Sequence, residues 1–519
     1  MNGCSKMARP AAAWSLAVLV AALYVVALCW YSALLFQDYP NHLARAFVLA
    51  DLWFHHGAHF GKVFEFRDIA YPYIAADLLL APMVELLGEQ GATYAWTALA
   101  VLSLPCAMLY YLRATAAPLA SRVFIFLMAL YLSTDAFFFV GFVNFRFSIA
   151  LTLVALAIAQ TLRRRYSAML FVIYCLTVAF GYLMHLAFLV FAVVGIGTSG
   201  LFRLWRRGTT WGRECLLLLP LVVSASWYVI SRWLYPITRD VIPAHFVRNG
   251  LRTKLRQLDW PVIRFNESVD LLFMAAFALL LFWAARHQLR RPRLVQVQTW
   301  EPALMALAFA GLYLALPASL GDPTYIDLRA IPWLPIFVTL WCVALFADSN
   351  ESNDMGSRFA LAGVTVLLVI NLGYMCANLS SERAWLKQYR AVLAAIPSSA
   401  LVLPIYTGVR TPTRRPYFDA DSYVVIDRHG VEPYLYSGDH GQPMKYFRYR
   451  HHPYAPDSIW YDVTPPRAVD WRAVACTYDF LLVTNPYDAA RIDLPTKMVA
   501  RNSSATLLVP DRTACQRHS

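Results

Sequence analysis

Long apolar stretches separated by short polar segments make up the chain as far as residue 378. Most of them have the roughly 17–25 residues that a helix needs to cross a bilayer. The pattern therefore predicts a mainly α-helical polytopic membrane protein with about 11–13 transmembrane helices. The stretches are 12–35, 73–87, 93–112, 123–141, 145–162, 168–183, 186–204, 215–234, 269–285, 303–320, 330–347 and 359–377.

Basic residues between these stretches predict how the helices are oriented. Lys6 and Arg9 precede the first stretch, and positively charged loops generally remain in the cytoplasm. The basic loops all lie in the cytoplasm with the N-terminus only if one early apolar stretch does not cross the membrane. We interpret the short stretch 73–87, which contains two acids and a proline, as a tilted, re-entrant or interfacial helix. The C-terminus then lies outside the cytoplasm. The basic loops are near 113–122, 163–165, 203–213 and 286–293.

The composition changes after residue 378. The remainder is richer in Tyr, Pro, Arg and His, and it contains helical spacing followed by short β-rich runs. We predict a membrane domain over 1–378, with a long first outer loop at 37–72, and a small extracytoplasmic α/β domain over 379–519. The β-rich runs are 401–405, 423–426, 480–484 and 506–509.

Two of the nine cysteines, Cys476 and Cys515, lie in this C-terminal region. Disulfides persist in oxidising compartments outside the cytoplasm. An extracytoplasmic domain would therefore allow one disulfide between the two residues. Their spacing alone is equally consistent with two free thiols.

Overall composition agrees with a membrane protein. Of the 519 residues, 59% are hydrophobic and 15% are charged, whereas a soluble protein carries about 25% charged residues. The net charge of +13 lies largely in the loops between apolar stretches, so it does not indicate a nucleic-acid partner. The sequence has no P-loop, no GxGxxG element after a strand, no HExxH pair and no CxxC pair.

The most informative polar residues follow the first apolar stretch, in the segment FQDYPNHLAR at 36–45. A charge at a membrane boundary is costly unless it is solvated, paired or used. Asp38 could deprotonate an acceptor hydroxyl, or it could bind a divalent cation with other oxygens. His42 and Arg45 would lie beside it on a following helix, as candidate substrate-binding residues. Alternatively, Asp38 caps that helix and pairs with Arg45.

A second polar group lies between two later apolar stretches. Asp135 precedes an aromatic run, and Asn144 and Arg146 follow Gly141. The guanidinium fork of Arg146 is suited to bind a phosphate, with Asp135 and Asn144 as further substrate-binding candidates. The alternative is a salt bridge between Asp135 and Arg146 that stabilises the turn.

Two further sites are predicted on the same face. His185 lies at a turn between apolar stretches, where a lone histidine often has a structural role. The segment 322–329 contains two carboxylates, Asp322 and Asp327, followed by Arg329. Arg329 could bind a lipid phosphate, and either carboxylate could orient it. The alternative is a solvated loop.

Membrane lipids are expected partners for a segment between two of the helices. The basic stretch 248–264 has Leu251, Leu255 and Leu258 interleaved with arginines. Such a pattern is typical of an amphipathic helix that lies on a membrane surface. Arginines in this stretch could contact anionic head groups.

Taken together, the chain resembles the GT-C glycosyltransferases, and a poorly characterised bacterial group among them. The resemblance rests on an acidic residue in the first outer loop, many helices and a C-terminal soluble domain. It also rests on the segments QDYPNHLAR at 37–45 and GFVNFR at 141–146. Many members have two adjacent acids in the first loop, where this chain has Gln37 and Asp38.

The resemblance implies a function at the bacterial inner (plasma) membrane. The enzyme would transfer a hexose or pentose from a polyprenyl-phosphate donor to a lipid, glycan or protein acceptor on the extracytoplasmic side. Asp38 would be the base or a metal-linked catalyst, so a divalent metal is a possible cofactor. Two alternatives remain: a transporter or flippase of a lipid-linked or polar substrate, or a non-catalytic scaffold with the same fold.

Overall fold

The structure is a computed structural model of the chain. The described residues are 4–32, 37–66, 72–114, 119–234, 246–289, 300–320, 325–347, 355–406, 417, 419–435, 447–449, 453, 469–485 and 492–516.

The helices come mainly in the first three quarters of the chain, and most of the strands come after them. In chain order, the helices are α1 (Cys4–Ser32), α2 (Tyr39–Phe54), α3 (Ile74–Ala114), α4 (Leu119–Leu132), α5 (Ala136–Val140), α6 (Val143–Arg164), α7 (Ala168–Met184), α8 (Ala187–Trp205), α9 (Trp211–Leu234), α10 (Leu251–Arg256), α11 (Glu267–Leu289), α12 (Trp300–Ala315), α13 (Trp333–Ala347), α14 (Met355–Leu393), α15 (Tyr423–Arg428), α16 (Trp471–Thr477) and α17 (Thr513–Gln516). Short 3-10 helices lie at Leu328–Ala330 and Ala420–Ser422. The strands are β1 (Phe64–Phe66), β2 (Phe246–Val247), β3 (Ser319–Leu320), β4 (Val402–Ile405), β5 (Phe447–Tyr449), β6 (Phe480–Thr484), β7 (Thr496–Arg501) and β8 (Ala505–Pro510).

The predicted fold class is confirmed. In the described part of the chain, six helices are long and apolar enough to cross a membrane, and four shorter apolar helices accompany them. The six are within α1, α3, α6, α8, α9 and α14. Apolar side chains such as Val26, 65% exposed, and Val229, 66% exposed, cover the outside of α1 and α9. A continuous apolar exterior of this kind is what lipid covers. The protein is therefore a multi-pass membrane protein.

Helix α3 joins two of the predicted apolar stretches. It is 41 residues long, so at about 1.5 Å per residue it is roughly twice as long as the ~30 Å bilayer core is thick. The helix breaks at Gly88, whose φ of 68° is a conformation that glycine adopts without strain. The part before Gly88 lies beside α2, where Asp77 binds Arg45 and Glu85 lies 2.9 Å from His55. The interpretation of 73–87 as a segment that does not cross the membrane stays a prediction.

Two arginines of the predicted cytoplasmic loops form ion pairs, and Arg163 is buried whereas Arg203 is half-buried. Arg163 donates to both carboxylate oxygens of Glu214, at 2.9 and 2.7 Å. Arg203 donates to Glu301 at 2.9 Å. Both pairs join helix ends, because Arg163 ends α6 and Glu301 begins α12. Their basic side chains therefore hold the helix ends together as well as contributing loop charge.

The C-terminal region contains a four-stranded sheet with the order β4-β6-β8-β7. β4 and β6 are parallel, whereas β8 pairs antiparallel with both β6 and β7. The structure joins Cys476 to Cys515 in a disulfide between α16 and α17. The predicted domain division at 378/379 falls inside α14, which runs without a break from the membrane helices into this region.

One predicted strand is wrong. Residues 423–426 form the first turn of α15, and all four side chains are buried. The β-branched residues in this run favour a strand, but α15 packs against both α2 and α14. Tertiary burial on several sides overrides the local preference. This correction matters because α15 and the 3-10 helix before it lie against the segment that contains Asp38.

Candidate functional site

Asp38 is held at the junction of α2 and α5. Its backbone N–H donates to the carbonyl oxygen of Val140 at 3.0 Å, and the Gln37 N–H donates to Phe139 at 3.4 Å. Pro40 follows in the first turn of α2. Asp38 occupies the N-cap position, but its side chain makes no capping hydrogen bond. The interpretation of the Asp38 carboxylate as a helix cap is therefore wrong.

The carboxyl group of Asp38 is poised to exchange a proton near neutral pH. Its Oδ1 is enclosed and has no hydrogen-bond partner among the described residues. Burial raises the pKa of Asp38 to about 7, against the opposing effects of Gln37, Arg329 and Arg45. A base with a pKa close to the working pH combines a useful ionised fraction with strong proton affinity. Asp38 therefore has the properties of a general base.

His42 and Arg45 lie on α2 next to Asp38, and both contact α3. Arg45 Nη2 lies 2.8 Å from His42 Nδ1 and 3.0 Å from the Asp77 carboxylate. Burial and the Arg45 charge lower the pKa of His42, so its imidazole is neutral. Asp77 is 1% exposed and Arg45 is 4% exposed. This ion pair fixes the end of α2 against α3.

Arg329 and His185 also belong to the group around Asp38, because the Arg329 charge lowers the Asp38 pKa. His185 Nδ1 accepts from the Ala187 N–H at 3.0 Å, while its Nε2 lies 2.9 Å from Arg329 Nη1. Burial and the Arg329 charge lower the pKa of His185 well below its usual value. A neutral imidazole has only one acceptor nitrogen, so the two N–H donors cannot both be satisfied. An anionic oxygen beside Arg329 would remove this conflict.

Aromatic rings surround the Arg329 guanidinium. Its centre lies 5.2 Å from the Phe142 ring and 5.8 Å from the Phe145 ring. Tyr73 packs edge-on against His185 at 4.6 Å, with a strained φ of 75°. Tyr325 has a φ of 57° and stacks on Trp260. Such strained backbone positions are often found at functional sites.

Asn144 lies in the first turn of α6, between Phe142 and Phe145 in the sequence. It is 3% exposed, and both atoms of its amide group lack a hydrogen-bond partner among the described residues. A buried, unsatisfied amide is unfavourable unless water or a ligand binds it. The N-terminus of a helix also carries a partial positive charge. Asn144 and Arg329 therefore provide two features of an anion site.

Asp135 and Arg146 form the salt bridge that the alternative interpretation predicted. Arg146 Nη1 lies 2.6 Å from Asp135, and Nη2 donates to the Leu132 carbonyl at 2.9 Å. Asp135 also caps α5 by accepting from the Phe138 N–H. The crevice beside this pair has a volume of about 30 Å³, enough for about two waters. The pair stabilises the turn before α6, and a phosphate-binding role for Arg146 stays a prediction.

Asp327 contributes to the structure of the loop before α13. It accepts from the Leu328 N–H at 2.9 Å and lies 3.4 Å from Lys254 Nζ. Lys254 also donates to the carbonyls of Tyr313 and Leu316, both at 2.6 Å. These contacts fix α10, only six residues of the predicted amphipathic helix, against α12. The exposed Leu251 and Leu255 face away from the protein.

Asp322, the other predicted carboxylate of this loop, lies outside the described residues.

The C-terminal domain contributes three buried acids that the sequence pattern did not single out. They are Asp419, Asp421 and Glu432, with exposed fractions of 1%, 7% and 0%. All three lie within the segment 406–471, which the sequence marks only as a long loop rich in Tyr, His and Pro. A charge pattern along one segment does not show which part of it meets α2. The contact is visible only in three dimensions.

The described residues contain no group of three or more His, Cys, Asp or Glu side chains arranged to bind a metal ion. The acids around Asp38 instead share their surroundings with Arg45 and Arg329, which offset their charge. The possible divalent cofactor therefore has no ligand set in the described part of the site. Proton transfer by carboxyl groups is the chemistry that these residues provide.

A comparison with solved structures shows the fold. This chain is similar in structure to ArnT from Cupriavidus metallidurans, whose crystal structure is of the apo state. The superposition covers 97% of this chain and 99% of the ArnT chain, with a TM-score of 0.57 and 12% sequence identity. ArnT is a GT-C glycosyltransferase, and this chain has the same GT-C fold. No protein-family profile matches the sequence, and a search of curated proteins finds no match.

Proposed function

We propose that the protein transfers a sugar from a polyprenyl-phosphate donor to an acceptor hydroxyl on the extracytoplasmic side of the inner membrane. The observation that carries this proposal is the enclosed carboxyl group of Asp38 beside Arg329 in a GT-C fold. The site combines a base near its half-ionised state with Arg329, a cation whose Nε has no hydrogen-bond partner among the described residues. Those are the two groups that phosphate displacement by a hydroxyl requires.

In the proposed reaction, Asp38 takes the proton of the acceptor hydroxyl. The acceptor oxygen then bonds to the anomeric carbon of the donor sugar. The bond from that carbon to the phosphate oxygen breaks, and its electron pair leaves with polyprenyl phosphate. A single displacement of this kind inverts the anomeric centre. Proton, bond and charge balance without a metal ion or another reactant.

The donor phosphate is proposed to lie between Arg329 and the N-terminus of α6. Arg329 would donate to it, which replaces the unfavourable contact with His185 Nε2. The amide of Asn144 and the positive end of α6 would add further stabilisation. Phe142 and Phe145 hold the guanidinium in place through their ring faces. The polyprenyl chain would extend along the apolar helices.

The proposed orientation places Asp38 and the C-terminal domain outside the cytoplasm. Arg163 and Arg203 mark the cytoplasmic helix ends. A disulfide between Cys476 and Cys515 agrees with an oxidising compartment. A periplasmic reporter fused after Ser519 should be active, and activity of a cytoplasmic reporter at that position would contradict the orientation.

The test of the function uses purified protein in proteoliposomes and a panel of polyprenyl-phosphate sugars with lipid, glycan and peptide acceptors. We expect transfer with one donor class, with inverted stereochemistry in the product. Polyprenyl phosphate without a sugar should raise the melting temperature of the wild type, because it fills the anion site. The Arg329→Ala variant should lose this increase. Absence of both binding and transfer would contradict the proposal.

A further inference from the structure

The C-terminal domain places a second carboxyl group against the segment that contains Asp38. Asp419 precedes the 3-10 helix Ala420–Ser422, which packs against α2, as α15 does after it. Asn41 of α2 also donates to the carbonyl of Tyr434 at 3.4 Å. The 3-10 helix that follows Asp419 therefore lies against α2, and Asp38 is close enough to Asp419 for its charge to act on that carboxyl group. Asp38 immediately precedes the first turn of α2.

Asp419 has an unusual environment for an acid. It is 1% exposed, and its Oδ2 has no hydrogen-bond partner among the described residues. Oδ1 of Asp38, on the other side of the interface, is also buried without a hydrogen-bond partner among the described residues. A buried carboxylate that is unpaired is strongly unfavourable, whereas a protonated one carries no charge and can donate a hydrogen bond. Both enclosed oxygens are satisfied if one proton lies between the two groups.

We propose that Asp419 is a positioning residue for Asp38: it keeps its proton while Asp38 is ionised, and it donates that proton as a hydrogen bond to the Asp38 carboxylate. The inference rests on the proposed role of Asp38 as the base. Asp419 does not receive the proton of the acceptor hydroxyl, which goes to Asp38. In the absence of substrate, its hydrogen bond fixes the orientation of the Asp38 carboxylate and stabilises the negative charge of that group.

The charges around the pair set the order of ionisation. After burial, the Asp38 charge has the largest effect in raising the pKa of Asp419, and Asp421 and Glu432 act in the same direction. Arg45 opposes them. Asp38 itself has Arg329 and Arg45 beside it, so it ionises first. Its charge then keeps the proton on Asp419, as expected for two strongly interacting acids.

Infrared spectroscopy tests the pair without any substrate. Purified wild type is titrated from about pH 5 to pH 10, and the carbonyl band of protonated carboxyl groups is followed. At about pH 9, well above the pKa of Asp38, we expect a band that Asp419→Asn lacks. The matched control is Asp421→Asn, which removes a buried acid from the same 3-10 helix. It should keep the band.

The second arm measures the coupling itself. Neutralising the partner in Asp38→Asn removes the charge that holds the proton on Asp419. The high-pH band should therefore disappear at a pH at least about one unit lower than in the wild type. An unchanged midpoint in Asp38→Asn, or equal bands at about pH 9 in wild type and Asp419→Asn, overturns the proposal. If Asp419→Asn does not fold, the comparison of wild type with Asp38→Asn still decides.

The transfer assay separates this inference from the proposed function. In the wild type, ionisation of Asp419 at high pH should lower the transfer rate, which gives the pH profile an alkaline limb. Asp419→Asn should lose that limb and keep the acid limb of Asp38. Infrared coupling without transfer supports the pair and contradicts the function. Transfer without coupling supports the function and contradicts the pair.

Discussion

Arg45 Nη2 donates to the Asp77 carboxylate at 3.0 Å, and both side chains are almost completely buried. The arginine that follows Asp38 in sequence is therefore held by α3, the helix that breaks at Gly88. The alternative interpretation of the sequence paired it with Asp38 instead. Of the two arginines that lower the Asp38 pKa, Arg329, from the loop before α13, has the larger effect.

The first prediction concerns this ion pair. Asp77→Asn leaves the Arg45 charge buried without its carboxylate, and removing one partner of a buried pair costs about 3–5 kcal/mol. We expect a large decrease in the melting temperature of the detergent-purified protein. The double variant Arg45→Met/Asp77→Leu should recover much of the loss, because it leaves no unpaired charge.

The ion pair between His55, at the end of α2, and Glu85 of α3 provides a matched control. Glu85 lies 2.9 Å from His55, but these side chains are 33% and 55% exposed. An exposed pair contributes about 0–1 kcal/mol, so Glu85→Gln should change the melting temperature little. Equal losses in Asp77→Asn and Glu85→Gln would show that burial does not determine the strength of the Arg45 contact.

The second prediction is the pH dependence. The pKa of Asp38 is about 7, and only its ionised form can take a proton. The transfer rate should therefore rise about tenfold per pH unit below that value and level off above it, before the proposed ionisation of Asp419 lowers the rate at high pH. A rate that is constant from about pH 5 to pH 8 at saturating donor would exclude Asp38 as the base.

The raised pKa of Asp38 affects stability in the opposite direction: the transfer rate rises with pH, whereas the contribution of Asp38 to stability decreases. The pKa of Asp38 is raised in the folded protein above its ordinary value of 3.8. The folded state then binds the proton more tightly, so the contribution of Asp38 to stability is fully present below its ordinary pKa of 3.8 and is lost as the pH rises through about 7. Asp38→Asn should accordingly raise the melting temperature more at pH 8 than at pH 5.

The third prediction distinguishes two arginines. Arg329→Ala removes the proposed phosphate contact, and a hydrogen bond to a charged group contributes about 1.5–3 kcal/mol. The KM for the donor should therefore rise roughly 10- to 100-fold, and Arg329→Lys should recover part of the affinity. Arg146→Gln breaks the buried contact with Asp135, so it should lower stability. Comparable KM effects at both positions would argue against the assignment of the phosphate to Arg329.

The fourth prediction concerns the attachment of the C-terminal domain. Arg390 of α14 donates to both carboxylate oxygens of Glu89, at 2.8 and 3.0 Å, and also to Asp427. Glu89 follows the break in α3, so this contact ties α15 to the membrane helices. Arg390→Met should increase proteolysis of the C-terminal domain and lower kcat, since Asp419 would no longer be held against Asp38.

Arg512 provides the comparison for this clamp. It pairs with Asp479 within the C-terminal domain, and both side chains are largely exposed. Arg512→Met should leave proteolysis and kcat close to wild type. A domain that stays protected in Arg390→Met would show that the apolar contacts of α14 alone hold it in place.

Local patterns predicted the apolar helices and strands β4, β6 and β8. Hydrophobic periodicity determines these elements within a few turns of chain. The sequence also singled out Asp38 and Arg329 as candidate site residues, and their roles stay predictions. The partners of Arg45 and Asp38 depend on contacts between distant segments. Nothing in the residues around Asp77 or Asp419 shows that each meets α2, because that requires the packing of whole helices. The helix at Tyr423 was missed for the same reason.

The most direct test of the account compares transfer by wild type, Asp38→Asn and Asp135→Asn in proteoliposomes with the active donor. Asp135 is a matched control, since burial also raises its pKa, to about 6, but Arg146 binds it. We predict that Asp38→Asn loses at least about 10²-fold in kcat with an unchanged KM for the donor. The folded fraction of Asp135→Asn should keep most of the wild-type kcat. Wild-type kcat in folded Asp38→Asn would contradict the account.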